Sequence, residues 1–470
     1  MTGVFSDEFL LPSPLSRELY AQVGGLPIID YHSHLPVDVL AANQPFANLT
    51  QLWIRGDHYK WRAMRLNGVP ERLCSGEGSD RDKFQAWAAT MPRTLRNPLH
   101  HWGCLELHRH FGIAQELTPD TAEEIWHTAN ALLATDAFRP LSLLEKWGVE
   151  ILCTTDDPAD DLRHHRQLRE HGAHTTRIYP TFRPDAACCL HGPATFRHWV
   201  ARLEAAAEHD IHDLAGLIDA LRLRHDAFHA LGCRLSDHGL ETIDSHDCTA
   251  AEAQAIFSRL MRDQEVSSLE LQKWRAFLMR TFAEWNHERG WVMMLHLGAL
   301  RNNNSRMFAH LGLDTGCDSI GDFSHASGLN RFLDHLDSAG TLPRTILFNS
   351  NPRDNLVFAT IAGNFFEDGV PGKVQYGPAW WFLDQGEGIR AQFDALCQVG
   401  LAHHFVGMVT DSRSFLSFSR HEYFRRIVCG LYAEEALAGL LPQDASRLAD
   451  TLTGICHRNA RHYFDWEPIC

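Results

Sequence analysis

Leu26-Pro27-Ile28-Ile29-Asp30-Tyr31-His32-Ser33-His34 decides how this 470-residue chain is read. It begins as an apolar strand and ends in two histidines one residue apart. Side chains two apart on a strand share a face, so His32 and His34 aim the same way and Ser33 aims away. Two imidazoles converging at a strand end form half of a divalent-metal site. The chain holds 30 histidines, so a chance pair is the competing reading, and only context separates the two.

Working outward, seven more runs share that shape, apolar at the start and polar, charged or aromatic at the end. They are 149–157 (VEILCTTDD), 177–184 (RIYPTFRP), 233–239 (CRLSDHG), 292–298 (VMMLHLG), 345–352 (TILFNSNP), 373–381 (KVQYGPAWW) and 404–413 (HFVGMVTDSR). Amphipathic helical stretches lie between most of them, at 196–209, 214–231, 269–289, 328–339 and 389–399. Strands alternating with helices imply a parallel sheet, and eight such units imply a closed, TIM-like (β/α)8 barrel. Functional residues then belong at the C-terminal strand ends, where these runs turn polar. A doubly wound open sheet is the alternative, but no Gly-rich phosphate loop follows any run. The stretch between the first two runs is rich in Trp, Leu and charged residues at helical spacing. We read 1–470 as one barrel domain, with a large α-helical insertion at about 38–145 and a smaller one at about 242–266.

Composition narrows the partners. The formal charge is 43 − 59 = −16, which argues against nucleic acid and anionic membranes, though a pocket can still be locally basic. The N-terminus lacks a basic segment followed by an apolar one, and no run reaches the roughly 18 apolar residues of a membrane span. Twelve cysteines include no Cys-x-x-Cys pair, which fits a reduced, cytoplasmic protein.

The strand ends collect the chemistry. The first run supplies His32 and His34, the fifth His296, and the eighth Asp411 with Arg413 two residues on. Three histidines and a carboxylate on separate strands can hold one divalent ion. Arg183, Arg301, Arg353 and Arg413 lie at or just past strand ends. Singly, each reads as surface charge or as an ion-pair partner of Asp185 or Asp354. Four around one mouth of an acidic protein point to an anionic ligand, because guanidinium binds carboxylate bidentately. Trp380 ends the seventh run, where a ring faces either a sugar or the core. His58-Tyr59 lies in the polar loop 55–60 (RGDHYK), where it offers an acid/base pair. Asp237 at the fourth run offers a hydroxyl acceptor or a helix cap, and Asp156-Asp157 reads more simply as a cap.

Together these residues resemble the uronate isomerases of the amidohydrolase superfamily. The resemblance spans essentially the whole chain. It is carried by IIDYHSHL (28–35), RGDHYKWRAMRLNGV (55–69), TTDDP (154–158), FRPD (182–185), SDHG (236–239), MLHLGALRNNN (294–304), NPRDN (351–355), GPAWWFLDQ (377–385) and VGMVTDSRSFLS (406–417). It implies isomerisation of D-glucuronate to D-fructuronate and of D-galacturonate to D-tagaturonate, in hexuronate breakdown. It also implies that His32, His34 and Asp411 hold one divalent ion, zinc or similar, with no organic cofactor. Arg183, Arg353 and Arg413 fall on substrate carboxylate and hydroxyl contacts. His58, Tyr59, Asp237, His296, Arg301 and Trp380 fall on other pocket positions. Binuclear members of the superfamily carry a Lys on the fourth strand, and many carry a His on the sixth. Here those ends read Ser236-Asp237-His238 and Asn349-Ser350-Asn351-Pro352, so the apparatus that makes a metal hydroxide is not assembled.

The expected mechanism moves a proton from C2 to C1 through a cis-enediolate, with Arg413 and Arg183 stabilising the negative charge. Tyr59, or its partner His58, is the expected shuttle. Asp411 is expected in metal ligation and ring opening. A metal-dependent lactonase or amidase is the competing enzyme, and a silent sugar-acid binder the competing non-enzyme. A homo-oligomer is expected, although no motif carries that expectation.

Overall fold

A computed structural model describes residues 3–466 except 173, 190 and 191. Nine strands are assigned among these residues: β1 Ile28–Asp30, β2 Val149–Cys153, β3 Arg177–Tyr179, β4 Leu235–Leu240, β5 Val292–Leu297, β6 Ala299–Leu300, β7 Ser319–Ile320, β8 Thr345–Asn349 and β9 Val374–Tyr376. Two parallel sheets form, in the orders β1-β2-β3 and β4-β5-β8-β9. Single parallel bridges, Asp156 to Phe182 and Phe182 to Ser236, connect β2, β3 and β4 beyond the ladders. The antiparallel ribbon β6-β7 stands apart and was not foreseen from the sequence.

Strands β1, β2, β5 and β8 alternate between two buried clusters. Ile29, Ile151, Cys153, Val292, Met294, Ile346 and Phe348 enter one, closed below by Tyr463, Phe464 and Trp466. Ile28, Leu152, Met293, Leu295 and Leu347 enter the other, against the helices. Strands apolar on both faces are what helix-covered parallel sheets require. The helices have clear local causes. Ser13 and Ser267 make capping boxes for Pro14–Val23 and Ser268–Arg289, and left-handed Gly290 stops the second.

Seven of the eight runs contain a strand. The eighth does not, yet it is strung along β1. Thr410 N donates to Asp30 Oδ1 (2.8 Å), Asp411 N to His32 O (3.2 Å) and His34 N to Ser412 O (3.0 Å). Left-handed Gly407 and Asp411 (φ 75° and 45°) break the extended backbone. A Cβ at Gly407 would lie 2.3 Å from Ile455 O, so this turn requires glycine. Seven α-helices lie between β1 and β2, and Ala250–Met261 lies in the later expected helical segment.

Candidate active site

His32 and His34 sit just past β1 rather than on it, and both still turn to one point. His32 Nε2 is 3.0 Å and His34 Nε2 3.1 Å from the same Asp411 Oδ1. Ser33 turns away and donates to Cys153 O (2.9 Å). Ligand atoms around a tetrahedral ion with bonds near 2.05 Å are about 3.3 Å apart, so this triad has the spacing of a divalent site. Its charge fits as well. Burial lowers the His34 imidazole to about 4. Burial opposes ionisation of Asp411, but hydrogen bonds from both histidines hold its carboxyl well below the usual range.

A second layer aims the first. Asp237 is fully buried; it accepts from Arg183 Nη1 (2.8 Å) and pairs with His296 Nδ1 (2.6 Å). Its Oδ2 lies 3.8 Å from His32 Nδ1, beyond hydrogen-bond reach, and that buried nitrogen has no hydrogen-bond partner. Asp237 therefore acts on the His32 imidazole through its charge: burial disfavours the protonated ring, and Asp237 favours it. His32, Asp237 and His296 also cluster as possible ligands, but Arg183 already neutralises Asp237 there. Burial opposes the Asp237 charge, and Arg183 followed by His296 overcomes it, leaving the carboxyl well below its usual range. The His296 ring stacks on His32 (4.5 Å) and Phe348 (4.0 Å), and burial lowers it to about 4.

Above this cluster opens a cavity of about 540 Å³. Ten of the twelve expected residues line it: His32, His34, His58, Tyr59, Arg183, His296, Arg301, Trp380, Asp411 and Arg413. Asp237 lies behind the wall, where it supports Arg183 and His296. Arg353 is not in the wall; it is exposed and bonded to Asp354 (3.3 Å), because a 3-10 turn, Pro352–Asp354, starts right after β8. His58 and Tyr59 begin the helix His58–Leu66, whose cap Asp57 accepts from Tyr59 N and Lys60 N. Their rings stack at 4.5 Å. Burial, then Asp411, raise the Tyr59 phenol well above 10, and burial lowers His58. Both groups are therefore neutral near pH 7.

Several lining residues were not foreseen. Arg420, from the helix Ser419–Leu437, donates to Thr410 O (3.1 Å) and lies over the Trp102 ring (4.1 Å). Its partner Asp384 is raised to about 7 by burial. Asp314 and Asp318 reach the cavity from the loop before β7 and pair with Arg413 (2.9 Å) and Arg301 (3.2 Å). No periodicity marks a loop carboxylate, so only packing reveals these residues.

A histidine–aspartate cluster beside three arginines, above the ends of parallel strands, defines an α/β enzyme with a candidate metal centre. The family model described as glucuronate isomerase matches residues 1–464, and the chain belongs to that family. It is 49% identical to the uronate isomerase of Opitutus terrae, over 99% of this chain and 98% of the other. It is 45% identical to that of Bacteroides thetaiotaomicron, covering 99% and 100%. The crystal structure of the Thermotoga maritima uronate isomerase superposes with a TM-score of 0.92 at 33% identity, covering 98% of this chain and 99% of that one. A metal-dependent hydrolase described as putative, from Lactobacillus casei, shares only the fold, with a TM-score of 0.53 at 13% identity over 95% and 97% of the two chains. The chain is an isomerase, and the hydrolase reading is set aside.

Proposed function

We propose that the protein interconverts D-glucuronate with D-fructuronate and D-galacturonate with D-tagaturonate, in cytoplasmic hexuronate breakdown. The carrying observation is the cavity itself, which sets Arg183, Arg301 and Arg413 beside the His32–His34–Asp411 triad. The scaffold is read as one (β/α)8 barrel over 1–470, closed where the 404–413 run meets β1, with helical insertions at about 38–145 and 242–266. Among the described residues no helix is long and apolar enough to cross a membrane. Exposed Leu66 and Leu440 leave apolar surface for a homo-oligomer. Incubation with D-glucuronate and a ketose reductase tests the activity; no ketose would refute it.

His32, His34 and Asp411 would hold one divalent ion, zinc in this proposal. When bound, it supplies a Lewis acid that polarises substrate oxygens. Dialysis against a chelator is expected to cut turnover at least tenfold, with zinc restoring it; unchanged turnover at depleted metal content would refute an activating role. The arginines orient the sugar carboxylate and hydroxyls, and Trp380 closes one wall. Arg353 contacts substrate only by turning in from the rim. Tyr59 keeps its proton and acts as a donor, so the two tasks expected from sequence exchange places. Tyr59 gives a proton to the ring oxygen as the C1–O5 bond breaks, and the O1 hydroxyl proton returns through His58 to Tyr59 as the C1=O1 carbonyl forms. Asp411 then takes the C2 proton. The C–H electron pair becomes the C1=C2 bond, and the carbonyl pair moves to O1. Arg183 and Arg413 stabilise that enediolate in a water-poor cavity. The O2 proton passes to O1, and Asp411 returns its own proton to C1 as the C2 ketone forms.

Gly239 gives the substrate-binding reading a sharp check. A Cβ there would lie 2.1 Å from Arg183 Nη2 and 3.3 Å from Asp185 Oδ2. Asp185 accepts from Arg183 Nε (2.8 Å) and Gly239 N (3.0 Å), so the guanidinium cannot yield without losing its seat. Gly239→Ala is expected to lower kcat/KM about 10²-fold through this misplacement. Wild-type kcat/KM would remove Arg183 from the binding set.

A further inference from the structure

Asp411 is gripped through both of its neighbours. Before it, Thr410 is held at three atoms: its N and Oγ1 donate to Asp30 Oδ1 (2.8 Å) and Oδ2 (2.5 Å), and its O accepts from Arg420 Nη1 (3.1 Å). After it, Ser412 Oγ meets Ser417 Oγ (2.5 Å). Ser417 and Arg420 share one turn, in which Arg420 N donates to Ser417 O (2.9 Å), at the start of the helix Ser419–Leu437. Asp30, Thr410 and Arg420 are all buried. The guanidinium lies over the Trp102 ring (4.1 Å), and Asp384 Oδ2 is 3.5 Å from the same Nη1. Its Nε is buried and unpaired, so the contacts that hold this side chain lie at Nη1 and on the ring face. Asp411 itself is left-handed (φ 45°), a conformation a side-chain-bearing residue keeps where its surroundings impose it.

We propose that Arg420 is a positioning residue for the isomerisation: through the Thr410 carbonyl it fixes the peptide that precedes Asp411, and so aims the Asp411 carboxylate at His32 and His34. This rests on Asp411 being the metal ligand and base. Trp102, from the insertion helix Pro98–Phe111, fixes the guanidinium plane, and Asp384, just after the turn Trp381–Leu383, offsets its charge. The insertion and the seventh run thus brace one carbonyl of the eighth. Without that donor, a buried carbonyl must rotate its peptide to find another partner, and this rotation swings Asp411. Arg420 also lines the cavity, so a direct contact with substrate is the competing role. The two roles differ in kinetics: a uniform substrate contact governs KM, whereas the aim of a base governs kcat.

Arg420→Met is expected to lower kcat about 10²-fold, the scale of a misplaced group, with the KM for D-glucuronate kept within about threefold. The zinc Kd, read by competition with a chelator, is expected to weaken about tenfold. Arg420→Lys keeps a charge and a donor for Thr410 O, and is expected to return kcat to within about fivefold of wild type. Burial raises the Asp384 carboxyl to about 7, so in Arg420→Met it can take up a proton and the fold survives. Adding Asp384→Asn to Arg420→Met is expected to leave kcat as low; recovery there would make a stranded carboxyl, not the lost grip, the cause. Wild-type kcat in Arg420→Met, or a loss carried by KM alone, overturns the proposal. So does a wild-type zinc Kd in Arg420→Met beside a weakened one in Asp411→Asn. In the Asp411→Asn background, Arg420→Met is expected to add nothing to the loss, and a further fall in kcat would place its effect elsewhere. Wild-type kcat and zinc Kd in Asp411→Asn itself would sink the reading of Asp411, a failure distinct from that of Arg420.

Discussion

Asp411→Asn is expected to lower kcat by about 10³-fold or more, the scale of losing a positioned general base. Asparagine is nearly isosteric and tolerates the left-handed backbone that Asp411 adopts (φ 45°), so the loop geometry survives and the loss is chemical. The amide still faces His32 and His34 but cannot take a proton. His32 and His34 both approach Oδ1 of Asp411, so the proposed base is the other oxygen, Oδ2. Metal content, read by mass spectrometry, separates the two roles of the carboxylate. Retained metal with lost turnover identifies the base; lost metal with lost turnover identifies the ligand. Tyr59→Phe is expected to slow turnover less, by about 10²-fold, because a donor at ring opening assists a step that also proceeds in water. A greater loss from Tyr59→Phe than from Asp411→Asn would return the C2–C1 shuttle to Tyr59.

The His32–His34 pair was legible because strand periodicity puts alternate residues on one face, and that geometry persists just past the end of β1. Asp411 lies 379 residues from His32, so no local pattern joins them; the shared logic of strand ends did. That logic reached its limit at the eighth run, where Gly407 and Asp411 leave the extended region and no strand forms. It also placed Arg353 and Asp237 at strand ends without telling which way each side chain turns. The 3-10 turn after β8 takes Arg353 outward, and Arg183 with His296 draws Asp237 behind the wall. Asp314, Asp318 and Arg420 escaped because loops and helix starts carry no two-residue rhythm. The proposed exchange of acid/base tasks has a different origin: sequence gives residue types, while burial and neighbouring charge decide which group holds its proton.

Arg183→Met tests the second layer and has the largest combined effect. Asp237 is wholly buried, and Arg183 is its strongest counter-charge. Removing one partner of a buried pair strands the other and costs about 3–5 kcal/mol of stability. The same change removes a cavity cation, so kcat/KM is expected to fall about 10³-fold. The pH dependence identifies the cause. In the wild type the folded pKa of Asp237 is depressed, so its stabilisation is present above the unfolded value of about 3.9 and is lost as pH falls below it. In Arg183→Met, burial acts with less opposition, and the folded pKa rises above the unfolded one. The variant then gains stability relative to the wild type as pH falls through that raised value. The gap in urea midpoints is therefore expected to be widest near pH 7 and to narrow steadily towards pH 4. A gap independent of pH would make lost packing, not stranded charge, the cause. Arg183→Met with Asp237→Asn is expected to recover most of the stability at pH 7 and none of the activity. The double variant removes the stranded charge, but it restores neither the cavity cation nor the carboxylate that pairs with His296.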